Sequence, residues 1–404
     1  MSLQRCCGGV TLCCLIISLA LPWASAFDDK PVVQQSTEAS SEPKSADSKP
    51  YGSRSTSRRL AQLESGGGTE ETEKAVAAAI NWLARHQNPD GSWGCQKCGD
   101  QCKDESCRTH VSKGRVGADY PVAATAFGLL PFLAAGQTLE TKGPYQSVIR
   151  KGLVWLAANQ DSKTGRLGGG GMYEHGLGTM ALCEAYGVTR DPKLKQSAQT
   201  AIEFIEDAQN DDSGGWHYVP NPLTVGDTSV FGWQFMALKS GQLAGLDVNP
   251  PTFRKAKLFL KSVSKGKGKS GGMFSYMPES GPTPIMTAVG VLCRQHDGFE
   301  VDAPEMVESL DYVAANRNGA LHNTYFLYYA TQALHNVPGE QWNAWNQATQ
   351  KALVEAQIKE GCAAGSWKPN SHDAGPVMST SLTALTLEVY YRWNPVYGPA
   401  KEKQ

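Results

Sequence analysis

The sequence has almost no excess of either positive or negative charge. Its 38 basic and 39 acidic side chains leave a formal net charge of −1 over 404 residues. Domains that bind nucleic acid or anionic membrane surfaces usually carry a clear basic surplus, so we expect neither partner. The apolar run at residues 10–21 is too short to span a bilayer, which takes about 20 residues. We therefore expect no transmembrane helix in the mature chain.

The N-terminal residues 1–26 have the features of a secretory signal peptide. Arg5 provides the positive start, an apolar core follows, and Ala24-Ser25-Ala26 is a typical cleavage pattern. We therefore expect export of the chain to the periplasm or the extracellular space. Residues 27–68 are rich in Ser, Pro, Glu and Lys and lack the apolar side chains of a core, which predicts a disordered tether.

Cysteine is concentrated in two short stretches. Four of the eleven cysteines lie in the signal peptide, and seven remain in the mature chain. Four of these seven form a cysteine-rich insert at residues 95–110, namely Cys95, Cys98, Cys102 and Cys107. Four thiolates can bind zinc in a tetrahedral site, whereas an oxidising compartment favours two local disulfides. Both predictions stay open. Because export implies an oxidising compartment, disulfides are favoured over zinc. Zinc is the one cofactor that the sequence suggests.

Six repeat units follow, each built from two predicted helices. The first helix of a unit often ends near a glutamine, and a glycine-rich turn with an aromatic residue precedes the second helix. Examples are Trp82-Leu83, Gln87 and Gly91-Ser92-Trp93 in the first unit, and Ala352-Leu353, Gln357 and Gly365-Ser366-Trp367 in the sixth. The fifth unit has Arg317 in place of the glutamine.

The two helices of a unit differ in their apolar pattern. The first helices carry apolar residues at i, i+4 and i+7, as from Val76 to Leu83, which predicts one buried face. The second helices are apolar throughout, as in residues 123–133, which is typical of helices buried on all sides. We therefore predict an all-α fold, an α/α toroid of about six inner–outer helix pairs over residues 69–396, followed by a C-terminal tail at residues 397–404.

These turns resemble a known repeat. Gln87-x3-Gly91-x-Trp93 and Lys151-Gly152-x2-Trp155-Leu156-x3-Gln160 are similar to the QW repeats of squalene–hopene-type cyclases and of protein prenyltransferase β-subunits. The resemblance covers residues 69–395 and implies an α/α toroid with a central apolar cavity. In those families the cavity holds an isoprenoid chain, so the resemblance implies an isoprenoid-like or other hydrophobic small molecule as partner.

The catalytic motifs of those enzymes are matched only in part. Residues 224–228 align with the cyclase acid motif Asp-x-Asp-Asp-Thr, but Gly226 stands at the acid's position and only the final Asp-Thr pair matches. Of the prenyltransferase zinc ligands only Asp227 is matched, because Ser229 replaces the cysteine and Pro284-Ile285-Met286 stands where the histidine is expected. The resemblance therefore indicates a fold rather than either activity.

Loops that precede the second helices should meet at one mouth of such a ring, where a site is expected. The catalytic candidates there are Asp227, Glu174 and His175, and Asp227 also fits a helix N-cap. The ligand-binding candidates are Tyr173, Tyr218, Trp233, Tyr276, His322, Tyr325 and Asp373. Aromatic faces suit an apolar ligand or a carbocation, although each ring could equally fill the core.

Functions of different classes fit these residues. One is an enzyme-like toroid that holds an isoprenoid or other long hydrophobic ligand, and the alternative is a non-catalytic exported binding or scaffold toroid. A third, a carbohydrate-active α/α barrel enzyme, would need two facing carboxylates, which Glu174, Asp227 and Asp373 could supply. The unmatched acid and zinc ligands favour the binding toroid, whereas the aromatic content favours the enzyme.

Overall fold

The computed structural model of the chain describes residues 51–95, 120–220, 225–266 and 271–397. Residues Glu42–Gln404 group into one compact body. Helices are the main regular elements of the described part, which also has one short antiparallel hairpin. None of its helices is both long enough and apolar enough to cross a membrane.

Twelve helices form two layers. The outer helices are α2 (Glu70–Arg85), α4 (Gln146–Ala158), α6 (Pro192–Asp207), α8 (Pro250–Ser262), α10 (Pro304–Ala315) and α13 (Glu340–Ala356). The inner helices are α3 (Pro121–Ala134), α5 (Met172–Thr189), α7 (Thr228–Ala244), α9 (Pro284–His296), α12 (Thr324–His335) and α14 (Pro376–Leu387). The remaining elements are α1 (Thr56–Gly66), α11 (Arg317–Ala320), α15 (Val389–Arg392), β1 (Ser264–Lys265) and β2 (Met273–Phe274).

The inner layer closes on itself. Each inner helix packs against the next one along the chain, and α14 packs against α3. A closed ring needs no polar capping units, which an open stack of repeats would require. The structure thus confirms the predicted α/α toroid of six inner–outer helix pairs.

Burial explains why the two layers differ in sequence. In α3 every residue from Val122 to Ala134 is buried, so this helix contacts protein on all sides. The outer helix α2 buries one stripe, which includes Val76, Ile80 and Leu83, and leaves its opposite face in solvent. Each buried aliphatic side chain contributes about 1.5–3 kcal/mol, so stacking of the units stabilises the ring mainly through this apolar layer.

The repeated glutamine joins neighbouring units. Gln87 Nε2 donates to a carbonyl of its own glycine-rich turn at 2.9 Å and to that of Val148 in the next outer helix at 2.8 Å. Gln357 makes the same pair of bonds across the ring closure, to Gly365 at 3.0 Å and to Ala75 at 2.8 Å. One amide thus satisfies two carbonyls, one in its own turn and one in the next outer helix.

The N-terminal arm (Tyr51–Gly67) is ordered, whereas we predicted a disordered tether over residues 27–68. The arm contains a 3-10 turn and helix α1. Arg54 is buried, and its guanidinium donates to the carbonyls of Leu133 at 3.3 Å and Arg392 at 3.0 Å. These partners lie far along the chain, so local composition could not reveal them. The earlier part of the tether and the signal peptide lie outside the described residues.

A buried ion-pair triad lies where the inner helices end. Glu184 Oε2 is 2.8 Å from Arg54 Nη2, and Glu184 Oε1 is 2.8 Å from Arg392 Nη2. Burial would raise the pKa of Glu184, but the two guanidinium groups hold it below its ordinary value. The arm and α15 thereby close this end of the ring, which we call the lower end.

Candidate functional site

The opposite end of the ring, where the inner helices begin, brings most of the predicted candidates together. We call this end the upper mouth; it comprises the first turns of the inner helices and the loops before them. Val122 N in α3 donates to Glu174 Oε1 in α5 at 3.2 Å. The Tyr325 hydroxyl in α12 donates to the Ser229 carbonyl in α7 at 3.3 Å. Helices from four different units therefore begin at the same end.

Asp227 caps helix α7 through one of its two carboxylate oxygens. Its Oδ1 accepts from the backbone N–H groups of Ser229 at 3.0 Å and Val230 at 2.9 Å, which lack partners within the helix. Its Oδ2 is buried and has no hydrogen-bond partner among the described residues. Burial raises the pKa of Asp227, and the bonds from Ser229 and Val230 oppose that shift. The N-cap role is observed, while a catalytic role stays a prediction.

Glu174 reaches from α5 to the first turn of α3. The side chain is 3% exposed, and its Oε1 accepts from the N–H group of Val122. Burial raises the pKa of Glu174, and the N–H groups of Ala123 and Val122 oppose the shift. The glycine run before α5 makes room for this carboxylate, because a Cβ on Gly170 would lie 1.6 Å from Oε2. The run thus accommodates the protein's own side chain.

His175 faces the outer layer instead of the upper mouth. Its Nε2 lies 2.9 Å from the carbonyl of Ala201 in the outer helix α6, and its Nδ1 accepts from Leu167 N at 3.0 Å. Burial lowers the pKa of His175 to about 4. Both ring nitrogens are engaged with backbone groups, so we leave this predicted residue out of the proposed site.

Asp373 links α12 to the loop before α14. Its Oδ1 accepts from the Thr324 hydroxyl, and its Oδ2 accepts from Asn370 N at 3.0 Å. Burial raises the pKa of Asp373, and the Thr324 hydrogen bond opposes the shift. His322, in contrast, lies in an exposed turn before α12 and is not part of this buried set.

Aromatic side chains from four inner helices fill the ring interior. The indole of Trp233 in α7 lies 5.9 Å from the Tyr173 ring in α5 and 5.8 Å from the Tyr325 ring in α12, between centroids. Phe127 in α3 and Tyr329 in α12 lie 6.1 and 5.4 Å from the same indole. Because α3 and α12 are not neighbours of α7 in the ring, these contacts cross the interior. The resemblance implied a central cavity, but large side chains occupy this region.

Two further tyrosines extend this cluster toward the surface. The Tyr218 ring is 43% exposed and lies parallel to the Tyr173 ring, with centroids 6.3 Å apart. Tyr276 is half-buried, and its backbone carbonyl accepts from Thr228 N at 3.0 Å. Burial raises the pKa of Tyr276, and the charge of Asp227 adds to the shift. The hydroxyl of Tyr276 therefore stays neutral beside this carboxyl group.

Several exposed apolar side chains lie in the loops of the upper mouth. Of the seven exposed large apolar residues in the described ranges, four lie in loops of the upper mouth: Tyr120, Tyr218, Val219 and Val225. We call them the mouth patch. Met172 N donates to the Tyr218 carbonyl at 2.9 Å and thereby fixes the loop that holds Tyr218. Sequence reasoning missed three of the four, although their position in loops before inner helices was a usable signal.

The predicted cysteine site can be located only at its start. Cys95 is buried directly after the first glycine-rich turn. Cys98, Cys102 and Cys107 lie outside the described residues. Within the described ranges no three His, Cys, Asp or Glu side chains form a group that could hold a metal ion. Both alternatives for the insert, zinc and disulfides, stay predictions.

Sequence comparison points to the cyclases. The family model of the squalene–hopene cyclase C-terminal domain matches residues 50–169. A squalene–hopene cyclase from Zymomonas mobilis is 33% identical over 89 residues, which are 22% of this chain and 11% of the cyclase. The chain thus aligns with only a small part of that relative's length.

Solved structures share the ring. A type II terpene cyclase from Scytonema, in complex with geranylgeranyl dihydroxybenzoate, is 14% identical with a TM-score of 0.50, covering 82% of this chain and 99% of its own. An α-1,6-mannanase from Salegentibacter in complex with α-1,6-mannotriose is 13% identical with a TM-score of 0.55, covering 80% and 99%. A cellobiose 2-epimerase from Spirochaeta thermophila is 11% identical with a TM-score of 0.55, covering 83% and 98%.

At these identities the structural likeness establishes the toroid alone, since the three enzymes perform different chemistry on one architecture. The cyclase signal comes from the sequence match, which falls on the arm, the first repeat unit and the outer helix of the second. The same segment holds the Gln87 and Trp93 positions of the repeat. The chain is thus an α/α toroid that is similar in sequence to the squalene–hopene cyclases over residues 50–169.

Proposed function

We propose that this toroid is an exported protein that binds an isoprenoid-like or other apolar small molecule at its upper mouth, without catalysing cyclisation or prenyl transfer. The observation that carries the proposal is the mouth patch. Exposed apolar clusters on soluble domains commonly mark binding surfaces. The other three exposed apolar residues, Leu60, Leu258 and Val307, lie on helices α1, α8 and α10 and not in these loops.

The packed interior supports binding at the mouth over binding within the ring. Trp233 is fully buried and contacts aromatic rings from three other inner helices. A long hydrocarbon would have to displace these rings and lose their packing, at a cost of several kcal/mol for an aromatic residue. We therefore place the apolar part of the ligand on the mouth patch and its polar end toward Asp227.

Asp227 suits a polar head group. Its Oδ2 is buried without a hydrogen-bond partner among the described residues, and burial raises its pKa. Tyr276 and Tyr325 lie nearby, because Thr228 N donates to the Tyr276 carbonyl and the Tyr325 hydroxyl donates to the Ser229 carbonyl. A ligand hydroxyl at this position would supply the missing partner, which is worth about 1–3 kcal/mol when the group is buried.

The same oxygen favours a second candidate, an enzyme that donates a proton from Asp227. A carboxyl group with a raised pKa among aromatic rings can protonate an alkene and leave the resulting cation against ring faces. Gly226 at the usual acid's position argues against this candidate. A saccharide-cleaving function fits less well, because the carboxylates of Asp227 and Glu174 both accept hydrogen bonds from backbone N–H groups at helix N-termini.

Binding of geranylgeraniol to the full chain, followed by tryptophan fluorescence, tests the proposal. The double variant Tyr218→Ser/Val219→Ser should weaken binding at least ~10-fold, because two apolar contacts of the mouth patch are lost. The matched control Leu258→Ser/Val307→Ser removes equally exposed apolar groups from outer helices and should bind as the wild type does. Equal losses in the two double variants, or binding of mannotriose in place of the alcohol, would contradict the proposal.

Product analysis separates the two candidates. Under the binding proposal, geranylgeraniol is recovered unchanged from the wild-type chain and from Asp227→Asn. Conversion to a cyclic product by the wild type, abolished in Asp227→Asn while affinity persists, would establish the proton-donating enzyme instead.

A further inference from the structure

Two consecutive outer helices carry charges of opposite sign. Helix α8 has four basic side chains and no acidic one, whereas α10 has three acidic side chains and no basic one. The outer helices α2, α6 and α13 each carry both signs. Since the whole chain has a net charge of −1, this separation is a local feature of the fourth and fifth repeat units.

The β-hairpin that follows α8 packs on α10. Gly272 N in the hairpin donates to the Glu308 carboxylate in α10 at 2.7 Å, and the Ser309 hydroxyl donates back to the Gly272 carbonyl. The approach is close, because a Cβ on Gly272 would lie 2.5 Å from the carbonyl oxygen of Glu305. The basic and the acidic helix are therefore neighbours in the outer layer.

The exposed stripe of α8 is basic around one apolar side chain. Leu258 is 56% exposed, and Arg254 and Lys261 stand on the same face, four residues before it and three after it. Lys255 and Lys257 each form an ion pair with an aspartate of the same chain. The side chains of Arg254 and Lys261 have no hydrogen bond or ion pair within the described ranges. Two charges beside Leu258 are thus available to a partner.

Helix α10 presents the same arrangement with the opposite sign. Val307 is 46% exposed, and Asp311 stands four residues after it on the same face. Asp302 is exposed in the turn that leads into the helix. Asp311 accepts one hydrogen bond at the surface, from Gln341 in α13 at 3.0 Å. An exposed apolar side chain with acidic neighbours on α10 therefore complements the one with basic neighbours on α8.

We propose that two copies of this chain associate through these faces, with α8 of each copy against α10 of the other. A two-fold axis that lies in the interface and bisects the line between two patches exchanges them, so one operation forms both contacts. Leu258 then packs against the partner's Val307, and the opposite charges around them fix the pairing. A patch of this size is at the low end of protein interfaces, so we expect a reversible dimer.

The acidic helix decides between a second copy and an anionic membrane surface. The basic stripe of α8 alone would suit anionic lipid head groups, but the same surface would repel the carboxylates of the neighbouring α10. A second copy satisfies both helices at once. Neither helix belongs to the upper mouth, so the proposal is independent of ligand binding there.

Sedimentation velocity of the full chain over a concentration series tests the proposal. The wild type should form dimers that dissociate as salt is added, because the paired charges lie near solvent. Arg254→Glu/Lys261→Glu should weaken dimerisation at least ~10-fold, because every charge pair of the two contacts becomes repulsive. The control Lys195→Glu/Lys351→Glu makes the same change of net charge at exposed positions of α6 and α13 and should dimerise as the wild type does.

The reverse substitution on α10 allows a rescue experiment. Asp302→Lys/Asp311→Lys alone should weaken dimerisation by a similar factor. An equimolar mixture of this variant with Arg254→Glu/Lys261→Glu should dimerise again, because each α8 in a mixed dimer faces an α10 of opposite charge. Misfolded chains could not restore each other, so recovery also excludes unfolding as the cause of the losses.

The opposite results are equally clear. A wild-type chain that stays monomeric at every concentration, or a mixture that does not recover, overturns the proposal. Binding of a monomeric wild type to vesicles that contain anionic phospholipid, lost in Arg254→Glu/Lys261→Glu, would identify a membrane surface as the partner of α8 instead. Leu258→Ser/Val307→Ser should be monomeric and still bind geranylgeraniol, because the two surfaces are separate.

Discussion

Buried carboxyl groups have opposite electrostatic surroundings at the two ends of the ring. At the lower end, Glu184 lies between Arg54 and Arg392, and its pKa is held below the ordinary value against the effect of burial. At the upper mouth, hydroxyl and N–H groups partner Asp227 and Asp373, and burial raises the pKa of both. All three side chains are at most 2% exposed. The charge of the partner, and not the degree of burial, therefore decides the direction of the shift.

A second buried glutamate at the lower end, Glu388, tests this conclusion. Glu388 is as completely buried as Glu184, but neither of its carboxylate oxygens has a hydrogen-bond partner among the described residues. Burial raises its pKa well above the ordinary value, and the more distant charge of Arg392 does not reverse the shift. Of these two buried glutamates, the one in direct contact with two guanidinium groups has a lowered pKa and the other has a raised pKa.

The largest expected effect comes from breaking the triad. Glu184→Gln leaves the guanidinium groups of Arg54 and Arg392 buried without their carboxylate, which should lower the free energy of unfolding by about 3–5 kcal/mol. Urea unfolding at neutral pH measures the loss. Glu388→Gln is the matched control, because an amide closely resembles the neutral carboxyl group, and it should stay within about 1 kcal/mol of the wild type. Similar losses in both variants would show that burial alone governs these positions.

Lowering the pH should remove the loss of stability that Glu184→Gln causes. Because the pKa of Glu184 is lower in the folded chain than its ordinary value of 4.5, its stabilising effect is complete above pH 4.5. The effect fades as the pH falls through the folded pKa. The difference in unfolding free energy between wild type and Glu184→Gln should therefore be constant near neutrality and shrink below pH 4.5. A difference that grows on acidification would refute the ion-pair assignment.

The repeats could be predicted because their determinants are local. Gln87 bonds a carbonyl of its own turn only four residues away, so the spacing is visible in sequence. The arm could not be predicted, because the partners of Arg54 come from α3, α5 and the C-terminal helix. Composition alone indicated disorder there, and the tertiary contacts override it.

The upper mouth was predicted in position but not in the direction of its side chains. Glu174 and Asp227 lie there because loops before inner helices recur at one end of the ring. His175 follows Glu174 directly, yet successive helical residues point about 100° apart, so one faces α3 and the other faces the outer layer. The packed interior escaped prediction because a repeat fixes the backbone path and leaves the size of side chains such as Trp233 open.

A medium-sized effect is expected where the sixth repeat unit meets the first and closes the ring. Gln357→Ala should lower the free energy of unfolding by about 1–3 kcal/mol, because the buried carbonyls of Ala75 and Gly365 both lose their donor. Arg317, at the matching position of the fifth unit, donates from an exposed site to one carbonyl of the next outer helix. Arg317→Ala is therefore the control and should change stability much less. Equal effects would mean that burial of the glutamine amide contributes nothing.

The smallest effect, with the opposite dependence on pH, is expected at Asp227. Because its folded pKa is raised above 3.8, the folded chain holds this proton longer than the unfolded chain does, so wild-type stability falls as the pH rises through the folded pKa. Asp227→Asn keeps an N-cap acceptor but cannot titrate. Its free energy of unfolding should therefore rise relative to that of the wild type over that pH interval. Asp227→Ala removes the cap and should be less stable by about 1 kcal/mol at every pH. Parallel pH profiles for wild type and Asp227→Asn would show that the Asp227 carboxyl has an ordinary pKa, and the contrast between the two ends would then rest on Asp373 and Glu174 alone.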